Sequence, residues 1–499
     1  MAGYIRRVWD AVRGYDAAQD TRSSIWRPSG AAASVEVASA QRPIANRARD
    51  AVRNDPYAAR IVDLWTANIV GAGITTRWSG EAHRAAWKRW AGSRACDAEG
   101  QQDLYGLQAM AMRAVVESGA VLVRMIPVKP SLANPIGLQL HVQEIDRLDA
   151  SRYGMIGGNA VSQGIAFRDG PAPYGYWLLR QHPGATWMLP GEVGRSEFVS
   201  ARDVLHVFHK RRPEQINDVS WLAPVLTKLR DLQDYEAAMI MKAKIEACLT
   251  LVATGGEAEE TVTGGLSGQE GQNGMELFRD ANGRPVETIE PGMILYRRNG
   301  GSVDVVNPSG SGGHTTFARR QLEAASVGSG LTYDQVSGDL TGANYSSLRA
   351  GKIEFRRLCE QHQYRMAIPM LVHPIAERFH QQGAMLGLWP AQMPDDVAHV
   401  PPAHEMIDPL KDTTALIAQV RAGFVPQPEA VGSFGYDFRE VVEIIRSANE
   451  VLDKAGLSLD TDPRRVAKTG AAQDAGQMAA VELGAKGGVV RPAPADEDE

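Results

Sequence analysis

Residues 327–357, VGSGLTYDQVSGDLTGANYSSLRAGKIEFRR, place a polar, glycine-rich segment directly before one of the longest helices that the sequence predicts. The helix is expected to begin near Ser346 and to run towards Phe379, following helical spacing of apolar residues. The segment before it, residues 337–342, combines small, polar and conformationally free residues. It is compatible with a nucleophile loop, a phosphate-binding loop or a mobile loop that contacts a large partner.

The phosphate-binding interpretation lacks a lysine at the position where a nucleotide would need one. Ser346 and Ser347 are better explained as N-caps of the following helix, a role worth about 1 kcal/mol, and Asn344 is an alternative cap. A surface connection and a moving contact surface both remain open for this segment.

Length and composition indicate a folded protein of several domains. The chain has 499 residues, of which 44% are hydrophobic and 22% charged, and it carries a net charge of -6. This charge disfavours nucleic-acid binding by bulk electrostatics. It does not exclude a path along which DNA moves without being held, because strong phosphate contacts would oppose sliding.

The three cysteines, Cys96, Cys248 and Cys359, are too far apart for a zinc or redox motif. A reducing compartment is therefore expected. The N-terminus lacks the apolar core of a signal peptide, and no stretch approaches the 18 apolar residues of a membrane span, so no membrane association is expected.

Several elements follow from periodicity and capping. A helix in NDPYAARIVDLWTANIVGAG has Asp55 as cap and Pro56 at its first position, and its expected buried side is Ala58, Ile61, Val62, Trp65 and Ile69. A second helix lies in GLQAMAMRAVVESG, and a long one covers about 222–247. Between about 119 and 209, short β-branched runs separated by Gly, Pro and Asp predict an antiparallel sheet.

The remaining chain divides as follows. Residues 20–45 are expected to form an extended arm, 254–274 a flexible loop and 275–307 a small β unit. A helix in HTTFARRQLEAASV precedes the polar segment, and Pro369 and Pro374 are expected to kink or split the helix after it. Two C-terminal helices are predicted in DPLKDTTALIAQVRAGF and GYDFREVVEIIRSANEVLDKAGL, followed by a disordered acidic tail.

The common catalytic signatures, including GxxxxGK[ST], HExxH and GxSxG, do not occur in the sequence. His206 and His209 lie three apart in a predicted strand and point to opposite faces, which disfavours joint metal ligation. His373 and His380, seven apart, could share a helix face but lack a third ligand, and His404 with Glu405 has no identifiable partner. We therefore predict no catalytic residues, no metal site and no cofactor.

Five segments, in order, resemble the lambda-type portal proteins of tailed bacteriophages. They are YDAAQDTRSSIWRPSG, RARDAVRNDPYAARIVDLWTANIVGAGI, DVLHVFHKRRPEQINDVSWLAPVLTKLRDLQDYEAA, LTYDQVSGDLTGANYSSLRAGKIEFRR, and IDPLKDTTALIAQVRAGF with GYDFREVVEII. The resemblance implies a non-enzymatic homo-oligomeric ring, usually a dodecamer, at one capsid vertex, through which double-stranded DNA enters during packaging and leaves during infection. It implies further partners: the terminase large subunit, major capsid and scaffold proteins, and head-completion or adaptor proteins. The location implied is the virion, with assembly in the host cytoplasm.

The family architecture implies an α+β portal-like protomer with a wing, stem helices, a β-rich clip, a channel loop and a helical crown. Mapped onto this sequence it assigns 1–45 to an N-terminal arm, 46–215 to the wing, 216–249 to a stem helix, 250–307 to the clip, 308–329 to the second stem helix, 330–345 to the channel loop, 346–406 to a wing or channel helix and its connection, 407–457 to the crown and 458–499 to a disordered tail.

Two groups of candidate site residues follow from this mapping. The channel loop would contribute Asp334, Ser337, Asp339, Thr341, Asn344 and Tyr345. The clip surface that faces the terminase would contribute Glu257, Glu259, Glu260, Arg279 and Arg284. A virus-associated hydrolase or nuclease is the alternative function, and a cellular scaffold or adaptor is a third.

Overall fold

The structure is a computed structural model, and it describes residues 29–185, 194–248 and 314–457 (without 343, 404, 405 and 407), together with 459 and 464. The chain divides into two compact units, residues 1–402 and 403–499. Helices and antiparallel sheets are mixed in the first unit, so the predicted α+β fold class is confirmed. Among the described helices, none is both long enough and apolar enough to cross a bilayer.

Three helices form a layer in the first unit: α1 (Ala33–Asn54), α2 (Pro56–Ile69) and, after the shorter α3 (Glu81–Ala91), α4 (Leu104–Ser118). Each of the three contacts the other two. Asp55 caps α2 by accepting the backbone N–H groups of Tyr57 and Ala58, both at 2.8 Å. The five residues predicted for the buried side of α2 are the five that are buried. Helical spacing therefore predicted this interface correctly.

The prediction of an extended arm was wrong for residues 33–45, because these residues belong to α1. Pro43 lies inside this helix, and few of its side chains are buried, so the sequence gives little helical signal. The helix is held instead by tertiary contacts: Arg49 donates to Ser118 at 3.1 Å and to Asp146 at 2.5 Å. These partners lie 69 and 97 residues away in the chain, which is why periodicity could not reveal them.

Beneath the helices lies a three-stranded antiparallel sheet in the order β3-β2-β9, formed by β2 (Ala120–Pro127), β3 (Leu138–Glu144) and β9 (Val204–Phe208). The strand before them, β1 (Thr75–Arg77), pairs with β10 (Ala398–Val400) far along the chain. Gly119 joins α4 to β2 at φ +93°, and a Cβ there would stand 2.5 Å from the backbone of Asp218 and Val219. Only glycine allows these two backbone segments to approach so closely.

A second, five-stranded antiparallel sheet follows the chain in simple order. Its strands are β4 (Gly154–Ile156), β5 (Asn159–Ser162), β6 (Ile165–Phe167), β7 (Pro173–Leu179) and β8 (Ser196–Ser200). A small separate core, including Tyr176 and Leu178, packs on one face of it. The predicted antiparallel region is confirmed, although the short strands β4, β5 and β8 and the aromatic helix α3 were not predicted.

The long helix predicted before residues 250–307 and the shorter one predicted after them are both confirmed. They are α5 (Leu226–Cys248) and α6 (His314–Ser329), and they contact each other. The ring of Tyr235 on α5 lies 4.4 Å from that of Phe317 and 5.4 Å from that of His314 on α6. The segment predicted as a small β unit, and the loop before it, lie outside the described residues.

After α6 come a short helix, α7 (Tyr333–Ser337), and a long helical run. The run begins with α8 (Tyr345–His362), becomes π-helical over Gln363–Val372 and continues as α9 (His373–Met385). Pro369 lies within the π-helical part and Pro374 in the first turn of α9. The predicted kink or split of the helix is therefore observed as a change from α-helical to π-helical hydrogen bonding. Proline lacks a backbone N–H, and this is tolerated where the backbone hydrogen bonds of the helix are already irregular.

The described part of the second unit, up to residue 457, contains three helices, α10 (Pro409–Arg421), α11 (Gln427–Gly432) and α12 (Phe438–Ala455). Asp408 and Asp437 cap α10 and α12 by accepting backbone N–H groups of the first turn. The two predicted C-terminal helices are confirmed, and α11 is additional. Of the described residues in 403–457, none is buried.

Candidate functional site

The predicted channel loop, residues 330–345, is partly helical. Thr332 and Gln335 form a capping box at the start of α7, and Gly338 at φ +72° ends it. Val336 is buried and α7 contacts α2 and α6, so this short helix is packed against the rest of the first unit. This corrects the expectation of a continuous polar loop: the irregular part, called here the polar loop, is residues 338–344.

Asp339 organises the polar loop through its own hydrogen bonds. Its Oδ1 accepts the backbone N–H of Thr341 at 3.0 Å and the Thr341 hydroxyl at 2.6 Å. Its own N–H donates to Ser337 Oγ at 3.1 Å, and Ser337 donates to the carbonyl of Tyr333 at 2.7 Å. The bonds from Thr341, with the charge of Arg319, hold the pKa of Asp339 below its ordinary value. Asp339 is therefore an anion at neutral pH.

A cavity of about 260 Å³ lies between the polar loop and the helices that flank it. Its lining includes the carboxylates of Asp334 and Asp339 and the guanidinium of Arg319, which lies 5.2 Å from the ring centroid of Tyr333. Arg319 also contacts Glu323 at 3.2 Å. Two carboxylates beside one guanidinium that already contacts Glu323 disfavour the binding of a phosphate in this cavity.

Helix α8 begins at Tyr345, and the N–H of Leu348 donates to the carbonyl of Asn344 at 3.0 Å. Asn344 therefore occupies the N-cap position. The preferred caps, Ser346 and Ser347, were wrong because both lie in the first turn of the helix, and the alternative cap, Asn344, is confirmed. The side chain of Tyr345 is not among those described.

The base of this region rests on an aromatic cluster, defined by Trp65, Trp221, Phe355 and His362. The Trp65 ring lies 5.2 Å from each of the other three rings, and its Nε1–H donates to the carbonyl of Ser329 at 3.0 Å. The cluster thereby joins α2, the segment before α5, the end of α6 and α8 at one point. Sequence reasoning missed this because the hydrogen-bonded residues are 264 positions apart.

Arg319 was also missed as a site residue. The local signal for it is the pair Arg319-Arg320 in HTTFARRQLEAASV, the predicted helix that precedes Tyr333. The predicted clip residues Glu257, Glu259, Glu260, Arg279 and Arg284 all lie outside the described residues.

The histidine pairs do not form shared sites. His206 is buried beside Tyr176 and Phe208, whereas His209 follows the end of β9 and lies 4.8 Å from the ring of His362. Burial lowers the pKa of all three histidines to about 4, so they are neutral at pH 7. His209 lies beyond the end of β9, so the predicted placement of both histidines in one strand was wrong for His209.

His373 and His380, which seemed able to share a helix face, instead bond to different partners. His373 Nδ1 lies 3.0 Å from His399 Nε2, and His380 Nδ1 lies 3.1 Å from His83 Nε2. Neither pair is joined by a carboxylate at a position that would complete a metal site among the described residues. His404 and Glu405 are outside those residues.

One described cluster has the residue types of a metal site: Glu144, Asp146 and His182. The Nδ1 atom of His182 accepts the N–H of Gly184 at 3.0 Å, and its Nε2 lies 2.8 Å from Glu144 Oε2. Burial alone would raise the pKa of Asp146, but the hydrogen bond and charge of Arg49 hold it below its ordinary value. Arg49 of α1 contacts both acids of this cluster, Glu144 at 3.8 Å and Asp146 at 2.5 Å, so the cluster holds α1 against the end of β3 and the residues after it.

Comparison with known proteins gives a consistent picture. Residues 19–363 match the family model described as phage portal protein, lambda family. A probable portal protein of Halomonas phage phiHAP-1 is 25% identical over 398 residues, which is 74% of this chain and 72% of that protein.

Among solved structures, the chain is similar to the neck of a native GTA particle computed with C12 symmetry, at 15% identity, 81% coverage of this chain, 98% of that chain and a TM-score of 0.41. It is also similar to the neck of an empty GTA particle computed with C6 symmetry, at 16% identity and a TM-score of 0.38, with 85% of this chain and 99% of that chain covered. The family match covers more than half of the sequence and includes α1 to α7, the polar loop and all of α8. On that match, this chain belongs to the lambda family of phage portal proteins.

Proposed function

We propose that twelve copies of this chain close into a ring at one vertex of a phage capsid. Double-stranded DNA passes through the ring into the capsid during packaging and out of it during infection. The observation that carries the proposal is the lambda-family match over residues 19–363. The role is structural, and the ATP hydrolysis that drives packaging belongs to a separate terminase that docks on the ring.

Residues 330–345 supply the surface of the ring nearest the DNA. Asp334 and Asp339 place carboxylates there, and the hydroxyl of Thr341 is already held by Asp339. Such a surface repels phosphates and offers few competing hydrogen bonds, so DNA slides past it without being held. The capped helix α7 and the aromatic cluster keep this surface in position.

The other partners are assigned by region. Residues 250–307, with Glu257, Glu259, Glu260, Arg279 and Arg284, face the terminase large subunit. Major capsid and scaffold proteins surround the ring, and head-completion or adaptor proteins join it after packaging. The protein assembles in the host cytoplasm and remains in the virion.

Electron microscopy of the purified protein tests the ring directly. We expect annular particles in two-dimensional class averages and a mass many times the 54.1 kDa of one chain. A preparation that contains only single globular particles across salt and concentration ranges would refute the proposal.

A matched pair of cysteine variants tests the polar loop. Leu340, 62% exposed, lies in the loop, and Leu132, 85% exposed, lies between β2 and β3. With DNA trapped in the ring during packaging, Leu340→Cys carrying a photoreactive crosslinker should label the DNA, whereas Leu132→Cys should not. Equal labelling at both positions, or none at residue 340 and throughout a cysteine scan of 337–345, would contradict the assignment.

A further inference from the structure

The second unit exposes two apolar rows that no residue described by the structure covers. On α10, Leu410 and Ile417 are 78% and 48% exposed, and on α12, Ile444 and Val451 are 60% and 65% exposed. Each pair is seven residues apart, so each lies on one helix face. A three-helix unit in which no described residue is buried lacks the core that a domain of this size needs to be stable by itself.

The faces that point into the unit are different ones. Thr413, Leu416 and Val420 on α10 are half-buried, as are Phe438 and Leu452 on α12. At 100° per residue, these residues lie to one side of the exposed rows. The exposed rows are therefore additional faces, and α11, which contacts both helices, does not cover them.

The two rows match each other residue by residue when the helices run antiparallel. The α10 row is Leu410, Thr414, Ile417 and Arg421, and the α12 row in reverse order is Val451, Ser447, Ile444 and Glu440. The spacings are four, three and four residues in both rows. Apolar residues then face apolar residues, a hydroxyl faces a hydroxyl, and arginine faces glutamate.

We propose that the α10 row of one copy packs against the α12 row of the neighbouring copy. This inference rests on the proposed ring and names one of the interfaces that close it. A contact between two different faces of identical chains is head-to-tail, and head-to-tail contacts generate rings when the rotation closes. A second copy is the occupant because the matching row is on this same chain and is exposed there.

Disulfide crosslinking of full-length rings tests the contact. The double variant Ile417→Cys/Ile444→Cys places thiols opposite each other between copies, whereas Ala415→Cys/Glu450→Cys places them on other exposed faces of the same helices. After mild oxidation, we expect the first variant to give a ladder of covalent multimers on a non-reducing gel. We expect the second variant and the unmodified chain to give none.

The size of the products separates the possible outcomes. A ladder beyond the dimer supports the head-to-tail contact. Rings visible in micrographs without any ladder would overturn this inference and leave the proposed function intact, and a product that stops at the dimer would show a two-fold contact instead. Single globular particles would overturn both.

Charge reversal provides a second test within the crosslinkable variant. Arg421→Glu alone and Glu440→Arg alone should each lower the yield of multimers about threefold, because each places like charges opposite each other. The combined reversal should restore the yield. If the combined variant is weaker than either single one, Arg421 does not face Glu440 and the antiparallel register is wrong.

Discussion

His206 allows a quantitative prediction of pH dependence. It lies on β9, fully enclosed, beside Tyr176 and Phe208, and its Nε2 has no hydrogen-bond partner. Burial lowers its pKa from 6.5 to about 4, only partly opposed by a hydrogen bond with Asn217. Replacing it by asparagine keeps a polar atom near Asn217 and removes the titrating ring.

The magnitude follows from the two pKa values of this group. Between pH 6.5 and 4, the unfolded chain binds a proton at His206 that the folded chain does not, so stability is full above pH 6.5 and falls as the pH is lowered. Moving from pH 7 to pH 5 should therefore cost the wild-type chain about 2 kcal/mol through this one residue. His206→Asn should lack that loss, whatever stability it has at pH 7.

The assay is urea-induced unfolding at pH 7 and pH 5, followed by tryptophan fluorescence. The measured quantity is the pH-induced change in unfolding free energy, compared between wild type and variant, so other titrating groups cancel. Tyr176→Phe is the control: its neighbouring phenol has a pKa raised by burial to about 12 and does not titrate in this range. If wild type and His206→Asn agree to within about 0.5 kcal/mol in this change, the reasoning is refuted.

Three further substitutions test packing and the polar loop. Gly383→Ala would place a Cβ 1.9 Å from the ring of Trp389 and should lower the free energy of unfolding by about 1–3 kcal/mol in thermal unfolding. The control, Gly342→Ala, places its Cβ in open space and should leave stability unchanged. Equal effects of the two substitutions would contradict the packing around Trp389. Trp65→Phe removes the indole hydrogen bond to the end of α6, so it should lower the free energy of unfolding by about 1–3 kcal/mol and speed amide hydrogen exchange at residues 330–345. Unchanged exchange would show that the aromatic cluster does not hold this region. Asp339→Ala should speed amide exchange in the polar loop and leave the unfolding midpoint unchanged; a shifted midpoint would mean that the loop supports the core.

Local signals predicted those parts of the fold that depend on local physics. The buried side of α2 and its Asp55 cap follow from spacing within one helix, and both were found. The same reasoning failed for α1, whose stability comes from distant partners such as Asp146, and for the cap of α8, where the helix begins one residue before Ser346. A capping residue is local information, but several adjacent polar residues compete for the role.

The candidate site shows the same division. The polarity of residues 337–342 was visible in the sequence, whereas the helical turn at 333–337 depends on the capping box and on burial of Val336. Trp65 and Arg319, which hold the region, are brought to it by tertiary packing and carry no motif. The clip residues remain a prediction from family resemblance.

The helical run from α8 through α9 also has a mechanical consequence. Its 18, 10 and 13 residues span about 60 Å at 1.5 Å per residue, from Asn344 to Leu386. The π-helical segment around Pro369 departs from the α-helical hydrogen-bond ladder, so it is the point of this run at which a bend is expected, between the polar loop at one end and the chain leading to β10 at the other.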